Sequence, residues 1–229
     1  MRAEATVDGR TARAARTRDA VVHALLGLIA EGDFRPTAGR IAERAGISLR
    51  SVYVHFEDLD DLFVAAAREQ RGRVAALVRP LPATGPFEDR LAAFVAQRTR
   101  VLDAIAPVAK ATALHEPFSP ALATASRAAR RQGRAELEHV FTIELDALAP
   151  AARTQALDAC DVLTMSDSWD FLRNRRGLTA RAASATVAES LRQLLHPQRS
   201  APPPPAPPAR RWRAHRPAVP EEPGGQERR

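Results

Sequence analysis

The residues best suited to chemistry in this sequence lie between positions 37 and 56, in the stretch TAGRIAERAGISLRSVYVHF. Its second half places hydroxyl groups, an arginine and a tyrosine close together with no acidic residue among them: Ser48, Leu49, Arg50, Ser51, Tyr53 and His55. Hydroxyl groups can reach phosphate oxygens, and an arginine can donate two parallel hydrogen bonds to the edge of a guanine. The stretch therefore predicts a surface that binds nucleic acid.

Two short helices joined by a tight turn are needed to present these side chains. Gly46 permits the positive φ that ends one helix and starts the next at a steep angle. Thr37 and Ser48 are candidate N-caps for the two helices. The set expected to be buried between them is Ile41, Ala42, Ala45, Ile47 and Val52. This arrangement predicts a helix-turn-helix whose second helix fits the major groove of DNA.

The same residues carry a family resemblance. Residues 17–65 resemble the DNA-binding domain of TetR-family transcriptional regulators, through the run IAERAGIS at 41–48, the ending YVHF at 53–56 and the Leu62-Phe63 pair. The segments WDFLR at 169–173 and GLT at 177–179 resemble the C-terminal region of many members. The likeness covers residues 10–196.

The resemblance implies an all-α protein. Its first three helices would bind DNA, and its C-terminal helices would hold a small-molecule pocket and form a homodimer. The residues that fall where family members touch DNA are Thr37, Ser48, Leu49, Arg50, Ser51, Tyr53 and His55. Two positions depart from the pattern. Leu59 stands where a basic residue often contacts a phosphate, and Arg50 stands where a small residue is common.

The exposed side chains leave alternatives open. Tyr53 can touch DNA or pack against the first helix. His55 can touch DNA or orient the backbone. Arg50 can read a base or bind a phosphate. The arginines at positions 10, 13, 16 and 18 can enter the minor groove or belong to a frayed arm with weak phosphate attraction.

Charge and proline content divide the chain into four segments. The formal net charge of +7 comes from the two ends, 1–18 and 197–229, while residues 19–196 balance. Residues 197–229 hold PPPPAPP and no apolar periodicity, which predicts a disordered tail. We expect a basic flexible arm over 1–16, a DNA-binding domain over 17–79, a helical regulatory and dimerisation domain over 80–196, and that tail.

Hydrophobic periodicity in the regulatory segment predicts helices near 86–105, 107–114, 120–148, 151–175 and 179–196, interrupted at Pro107, Pro150 and Gly177. The last two long helices are the expected dimer interface, since their apolar residues exceed what one side of a small domain needs. These residues are Leu157, Leu163, Leu172, Val187, Leu191, Leu194 and Leu195.

Several classes of activity lack the residues they require. Cys160 is the only cysteine, so no disulfide framework can form, and it is expected to be a small core residue. We find no catalytic constellation, metal site or cofactor motif. The longest apolar run is too short to span a membrane, and no secretory signal opens the chain, so we expect a cytoplasmic protein.

The sequence therefore predicts a homodimeric transcriptional regulator, most simply a repressor, that leaves a palindromic DNA operator when an unidentified small molecule binds. The competing hypothesis is a ligand-independent DNA-organising protein that binds through its basic ends with little sequence preference.

Overall fold

The computed structural model describes residues 2–195, with side chains from residue 11 onward. Every regular element in that range is helical, which confirms the predicted all-α class. The ten α-helices are α1 (Arg2–Ala30), α2 (Ala38–Ala45), α3 (Leu49–His55), α4 (Leu59–Ala75), α5 (Phe87–His115), α6 (Pro120–Val140), α7 (Thr142–Asp146), α8 (Pro150–Leu163), α9 (Ser166–Asp170) and α10 (Ala180–Leu195). A 3₁₀ turn (Glu116–Phe118) precedes α6, and a π-helix (Phe171–Arg175) follows α9. The predicted disordered tail, 197–229, lies outside the described residues.

The first helix begins earlier than predicted. The sequence predicts a flexible arm over 1–16, but α1 already starts at Arg2. Residues 2–16 contain alanines and arginines, which are strong helix formers, and they contain no proline. No residue in this segment therefore interrupts the helix, which continues into the apolar part of α1.

The N-terminal core joins α1 to α4. Val21, Leu25 and Ile29 of α1 face Ile41 of α2, and Leu62, Phe63 and Ala66 of α4 complete the cluster. Of the set predicted to lock the helix-turn-helix, Ile41, Ala42 and Val52 are buried, while Ala45 and Ile47 are partly buried. Ala111 of α5 and Leu122 of α6 also belong to this cluster. The DNA-binding half is thus packed directly onto the helices behind it.

The C-terminal core is built around aromatic side chains. Phe94 and Phe141 meet edge to face at 5.2 Å between ring centroids, and Trp169 is buried nearby in the same cluster. Cys160 lies in this core as expected, where burial raises the pKa of its thiol to about 12. The thiol is therefore protonated near neutral pH, which removes its nucleophilic form.

Three helix boundaries differ from the prediction. Helix α5 runs through Pro107, although the missing N–H leaves the carbonyl of Asp103 without its helical partner. The helix expected over 120–148 ends at Val140, and the one expected over 151–175 ends at Leu163. Local periodicity therefore does not fix these boundaries.

The predicted dimer residues also need correction. Leu157, Val187, Leu191 and Leu195 are buried in the core of their own protomer. The remaining three, Leu163, Leu172 and Leu194, are half-buried. A single protomer already covers most of this apolar set, because α10 packs closely against α5 and α8. These leucines therefore give no surplus of apolar surface that would require a partner.

Among the described helices, none is both long enough and apolar enough to cross a lipid bilayer.

Candidate nucleic-acid interface

Local caps fix the geometry of the helix-turn-helix. The Thr37 hydroxyl accepts a hydrogen bond from the backbone N–H of Arg40 at 3.3 Å, which caps α2 as predicted. Gly46 ends α2 in the left-handed region with φ of 68°, and its N–H donates to the carbonyl of Glu43 at 3.1 Å. Ile47 N–H closes the turn on the carbonyl of Ala42. The turn is therefore held by the residue types that the sequence indicated.

The two serines at the start of α3 are bonded to each other. Ser48 Oγ accepts from the backbone N–H of Ser51 at 3.2 Å, and the two hydroxyl oxygens are 2.8 Å apart. One of the two hydroxyl protons is used in that bond. The pair therefore keeps a single O–H free for a phosphate oxygen.

One face of α3 is open to solvent. Leu49 is 48% exposed, Tyr53 is 51% exposed and Val54 is 71% exposed, and Arg50 lies on the same side. Val52 points the other way and is buried. Sequence reasoning missed Val54, although it lies four residues after Arg50 and so shares its helix face. Tyr53 contributes to this surface and not to the buried core.

Two of the four arginines between positions 35 and 56 are neutralised within the protein. Arg40 forms an ion pair with Asp33 at 2.9 Å, and Arg44 donates two hydrogen bonds to the carboxylate of Glu31. The hydrogen bonds from Arg44 lower the pKa of Glu31. Among the described residues, Arg50 has no acidic partner. Its guanidinium is therefore available to a ligand.

The C-terminal end of α3 is anchored to α1 by Arg18. Its guanidinium donates to the backbone carbonyl of His55 at 2.9 Å and lies 4.3 Å from the centre of the Phe56 ring. His55 itself is half-buried. From sequence, Arg18 is expected either to enter the minor groove or to belong to a frayed arm. Its contacts with the end of α3 show that it positions this exposed helix.

The acidic residues after Phe56 start the next helix. Asp58 accepts a hydrogen bond from the backbone N–H of Asp61 at 2.8 Å and caps α4, as the sequence suggested. Asp60 and Asp61 lie in the first turn, where negative charge suits the helix dipole. Leu59 is half-buried there and contributes no charge.

The comparison with known families identifies this geometry. Residues 21–66 match the sequence model described as bacterial regulatory proteins, tetR family. This match runs from Val21 in α1 to the first half of α4, the same elements that hold and present α3. The chain carries a TetR-type domain over residues 21–66. It is a DNA-binding transcriptional regulator with a TetR-type helix-turn-helix.

Solved structures extend the likeness of fold beyond the TetR-type domain. A transcriptional regulator from Rhodococcus sp. Rha1 superposes with a TM-score of 0.63 at 19% identity, over 78% of this chain and 95% of that one. A TetR-family transcriptional regulator from Streptomyces coelicolor gives 0.60 at 21% identity, covering 78% and 80%. Salmonella enterica GusR gives 0.56 at 19% identity, covering 79% and 95%. No curated protein matches this sequence significantly.

Behind the TetR-type domain, α4, α5, α6 and the α8–α9 turn enclose a cavity of about 210 Å³. Arg98 lines it and donates to the carbonyl of Gly133 at 2.7 Å and to the carboxylate of Glu136 at 2.8 Å. Burial lowers the pKa of Arg98, although the nearby acids oppose this. A Cβ at Gly133 would lie 2.7 Å from the Arg98 guanidinium, so a larger residue there would require Arg98 to shift.

Proposed function

We propose that this TetR-family regulator is a homodimeric repressor that binds a palindromic operator and leaves it when a small molecule binds. The observation that carries the proposal is the open face of α3, where Arg50 stands beside Tyr53 and Val54 and has no acidic partner among the described residues. The helix is capped at its start and anchored at its end. A rigid helix is required because base recognition depends on side-chain placement to within a fraction of an ångström.

The seven predicted DNA contacts divide by what their side chains can offer. Arg50 supplies a bidentate donor for guanine, and Tyr53 supplies a hydroxyl for a phosphate. Leu49 offers an apolar contact that suits the methyl group of thymine, and Val54, which is not one of the seven, offers another. Thr37, Ser48 and Ser51 cap or brace their helices and keep limited donor capacity for the backbone. His55 acts through its carbonyl on Arg18.

Dimerisation follows from the symmetry of the proposed operator. One chain carries one recognition helix, and two such helices must lie about 34–36 Å apart to enter successive major grooves. We assign the pairing to the outward face of α8 and α10, where Val162 is 56% exposed. This face replaces the buried leucines as the contact surface, and a two-fold axis there would form a four-helix bundle.

The cavity of about 210 Å³ is the proposed receptor for the releasing ligand. Helix α4 contributes Ala67, Gln70 and Arg71 to its wall, and the same helix follows the recognition helix in the chain. Gln70 Nε2 also donates to the carbonyl of Ala104 in α5 at 2.8 Å. A ligand that displaces Gln70 would move α4 against α5 and thereby change the spacing of the recognition helices.

In vitro selection from random duplex DNA tests the proposal. The full chain should enrich a palindrome, and Arg50→Ala should lose about 1–3 kcal/mol of operator affinity with relaxed preference at one base position. Arg44→Ala is the matched control, because that charge is already neutralised by Glu31. Tyr53→Phe and Tyr53→Ala separate the hydroxyl from the ring. Unchanged affinity in Arg50→Ala and Tyr53→Ala, with folding intact, would place the DNA contact elsewhere.

The DNA-organising alternative makes a different prediction for the same assay. Binding through the basic ends would give little difference between the selected palindrome and random DNA, with a steep salt dependence for both. A repressor should hold its operator at least about 10³-fold more tightly than random DNA at physiological salt.

A further inference from the structure

A second cavity, of about 360 Å³, lies between the two halves of the protein. Ile29 and Phe34 contribute from the end of α1 and the turn after it, and Pro107 and Lys110 contribute from α5. The C-terminal side contributes Trp169, Asp170, Arg173 and Asn174. None of its lining residues belongs to the cavity assigned above to the releasing ligand. Its volume falls within the range of about 300–1,000 Å³ usual for small-molecule sites, and such sites favour domain junctions.

Two helical irregularities border this cavity. Pro107 removes one backbone donor from the middle of α5, and the π-helix Phe171–Arg175 widens the turn that follows α9. The buried Trp169 ties the two together, since its Nε1 donates to the carboxylate of Asp103 at 2.9 Å. π-Helical turns are uncommon and recur at functional sites.

Within the part of the chain that the structure describes, the cavity wall has one cation and one anion that lack an oppositely charged partner. Lys110 has no acidic partner among the described residues, and its ammonium lies 4.9 Å from the centre of the Phe34 ring. Asp170 has no basic partner in the same range, and its carboxylate accepts only a neutral hydrogen bond from Asn174 Nδ2 at 2.7 Å.

The other two charged groups of the wall are already engaged. Arg173 lies 3.6 Å from the carboxylate of Asp103 and donates to the carbonyl of Leu178 at 2.6 Å. The charge left over for a ligand is therefore one positive group on α5 and one negative group at the end of α9, with apolar surface from Ile29, Phe34 and Pro107 around them.

We propose that this cavity binds a small zwitterion with an apolar body, of the class of free amino acids with apolar side chains. The ligand carboxylate would pair with Lys110 and its ammonium with Asp170. An anion or a cation alone would leave one of these two groups uncompensated, whereas a zwitterion satisfies both. Because the walls come from both halves of the protein, occupancy would also hold the end of α1 against α5.

Calorimetric titration of the full chain tests the site directly. The probes are L-leucine, L-methionine and L-phenylalanine, each compared with its N-acetyl form, which lacks the ammonium, and its amide, which lacks the carboxylate. At least one free amino acid should bind, and both blocked forms should bind roughly tenfold more weakly or worse, as the loss of a charged hydrogen bond predicts. Lys110→Gln should bind the free amino acid and its amide equally, and Asp170→Asn should bind the free amino acid and its N-acetyl form equally.

Arg71→Gln, in the wall of the other cavity, is the control and should bind the free amino acid as the unaltered chain does. The proposal is overturned if no free amino acid binds at about 10 mM, where even a millimolar site would fill. It is equally overturned if blocked forms bind as well as free ones. If Lys110→Gln or Asp170→Asn melts early, the blocked probes on the unaltered chain still decide the question.

Measuring operator affinity with and without the amino acid tests the cavity separately from the proposed function. Any regulatory role of the cavity rests on that proposed function. A free amino acid that binds and changes the affinity for the selected operator supports regulation through this cavity. Binding that leaves operator affinity unchanged retains the site but refutes that regulatory use. Failure of the selection to yield any operator, with calorimetric binding intact, would count against the repressor and not against the zwitterion site.

Discussion

The anchoring of α3 by Arg18 predicts a measurable loss of stability when the guanidinium is removed. In Arg18→Met the apolar stem keeps its packing while the hydrogen bond to the His55 carbonyl and the contact with the Phe56 ring are lost. A hydrogen bond from a charged donor contributes about 1.5–3 kcal/mol, and a cation–π contact contributes about 0.5–2 kcal/mol. Arg18 is half-buried, so the lower values apply and the expected loss is about 2 kcal/mol.

This loss should appear first as local opening of α3. About 2 kcal/mol corresponds to a change of roughly thirtyfold in an equilibrium constant. We therefore expect amide protection in α3 to fall by roughly that factor in native-state hydrogen exchange, while protection in the C-terminal core stays unchanged. Operator affinity should fall in parallel, because the helix must be held in place before it can bind.

Arg16→Met is the matched control. Arg16 is exposed on the same helix and has no hydrogen-bond or ion-pair partner among the described residues, so its loss removes the same charge without releasing α3. Equal amide protection and equal operator affinity in Arg16→Met and Arg18→Met would show that Arg18 contributes charge alone and that the anchoring argument fails.

Three further outcomes follow from buried and strained positions. Glu144→Gln removes one partner of the buried ion pair with Arg90 and should lower the free energy of unfolding by about 3–5 kcal/mol, measured by urea denaturation. A loss below about 1 kcal/mol would contradict the burial of that pair. Gly46→Ala places a Cβ on a residue with φ of 68° and should lower the free energy of unfolding by about 1–2 kcal/mol. An unchanged midpoint of thermal unfolding would mean that the turn relaxes. Leu191→Glu should unfold the C-terminal core, while Val162→Glu should stay folded and sediment as a monomer. A folded, monomeric Leu191→Glu would restore the interface predicted from sequence.

Local features of the helix-turn-helix could be predicted because short-range interactions determine them. The caps at Thr37, Ser48 and Asp58 depend on a side-chain oxygen reaching an N–H three residues away. The turn at Gly46 depends on the freedom of one residue to adopt positive φ. Burial of Ile41 and Val52 follows from helical periodicity. Residue type and spacing are sufficient for all of these.

Pairing across the structure could not be predicted in this way. The sequence between 35 and 56 indicates a strongly basic surface, yet Asp33 and Glu31 neutralise two of its arginines because the turn after α1 brings them together. The contribution of Arg18 to the placement of α3 likewise depends on how α1 crosses it. Charge counted along a sequence does not show which charges meet.

The sequence alone determined the fold class, the position of α3 and most of that helix's exposed side chains, because helix formation, capping and amphipathic burial are encoded within a few residues. Only the tertiary structure decided that Leu191 and its neighbours cover their own core, and that α5 continues through Pro107. It also decided that Lys110 and Asp170 share a cavity. These outcomes depend on how distant helices pack, and packing is a property of the whole chain that no short pattern specifies.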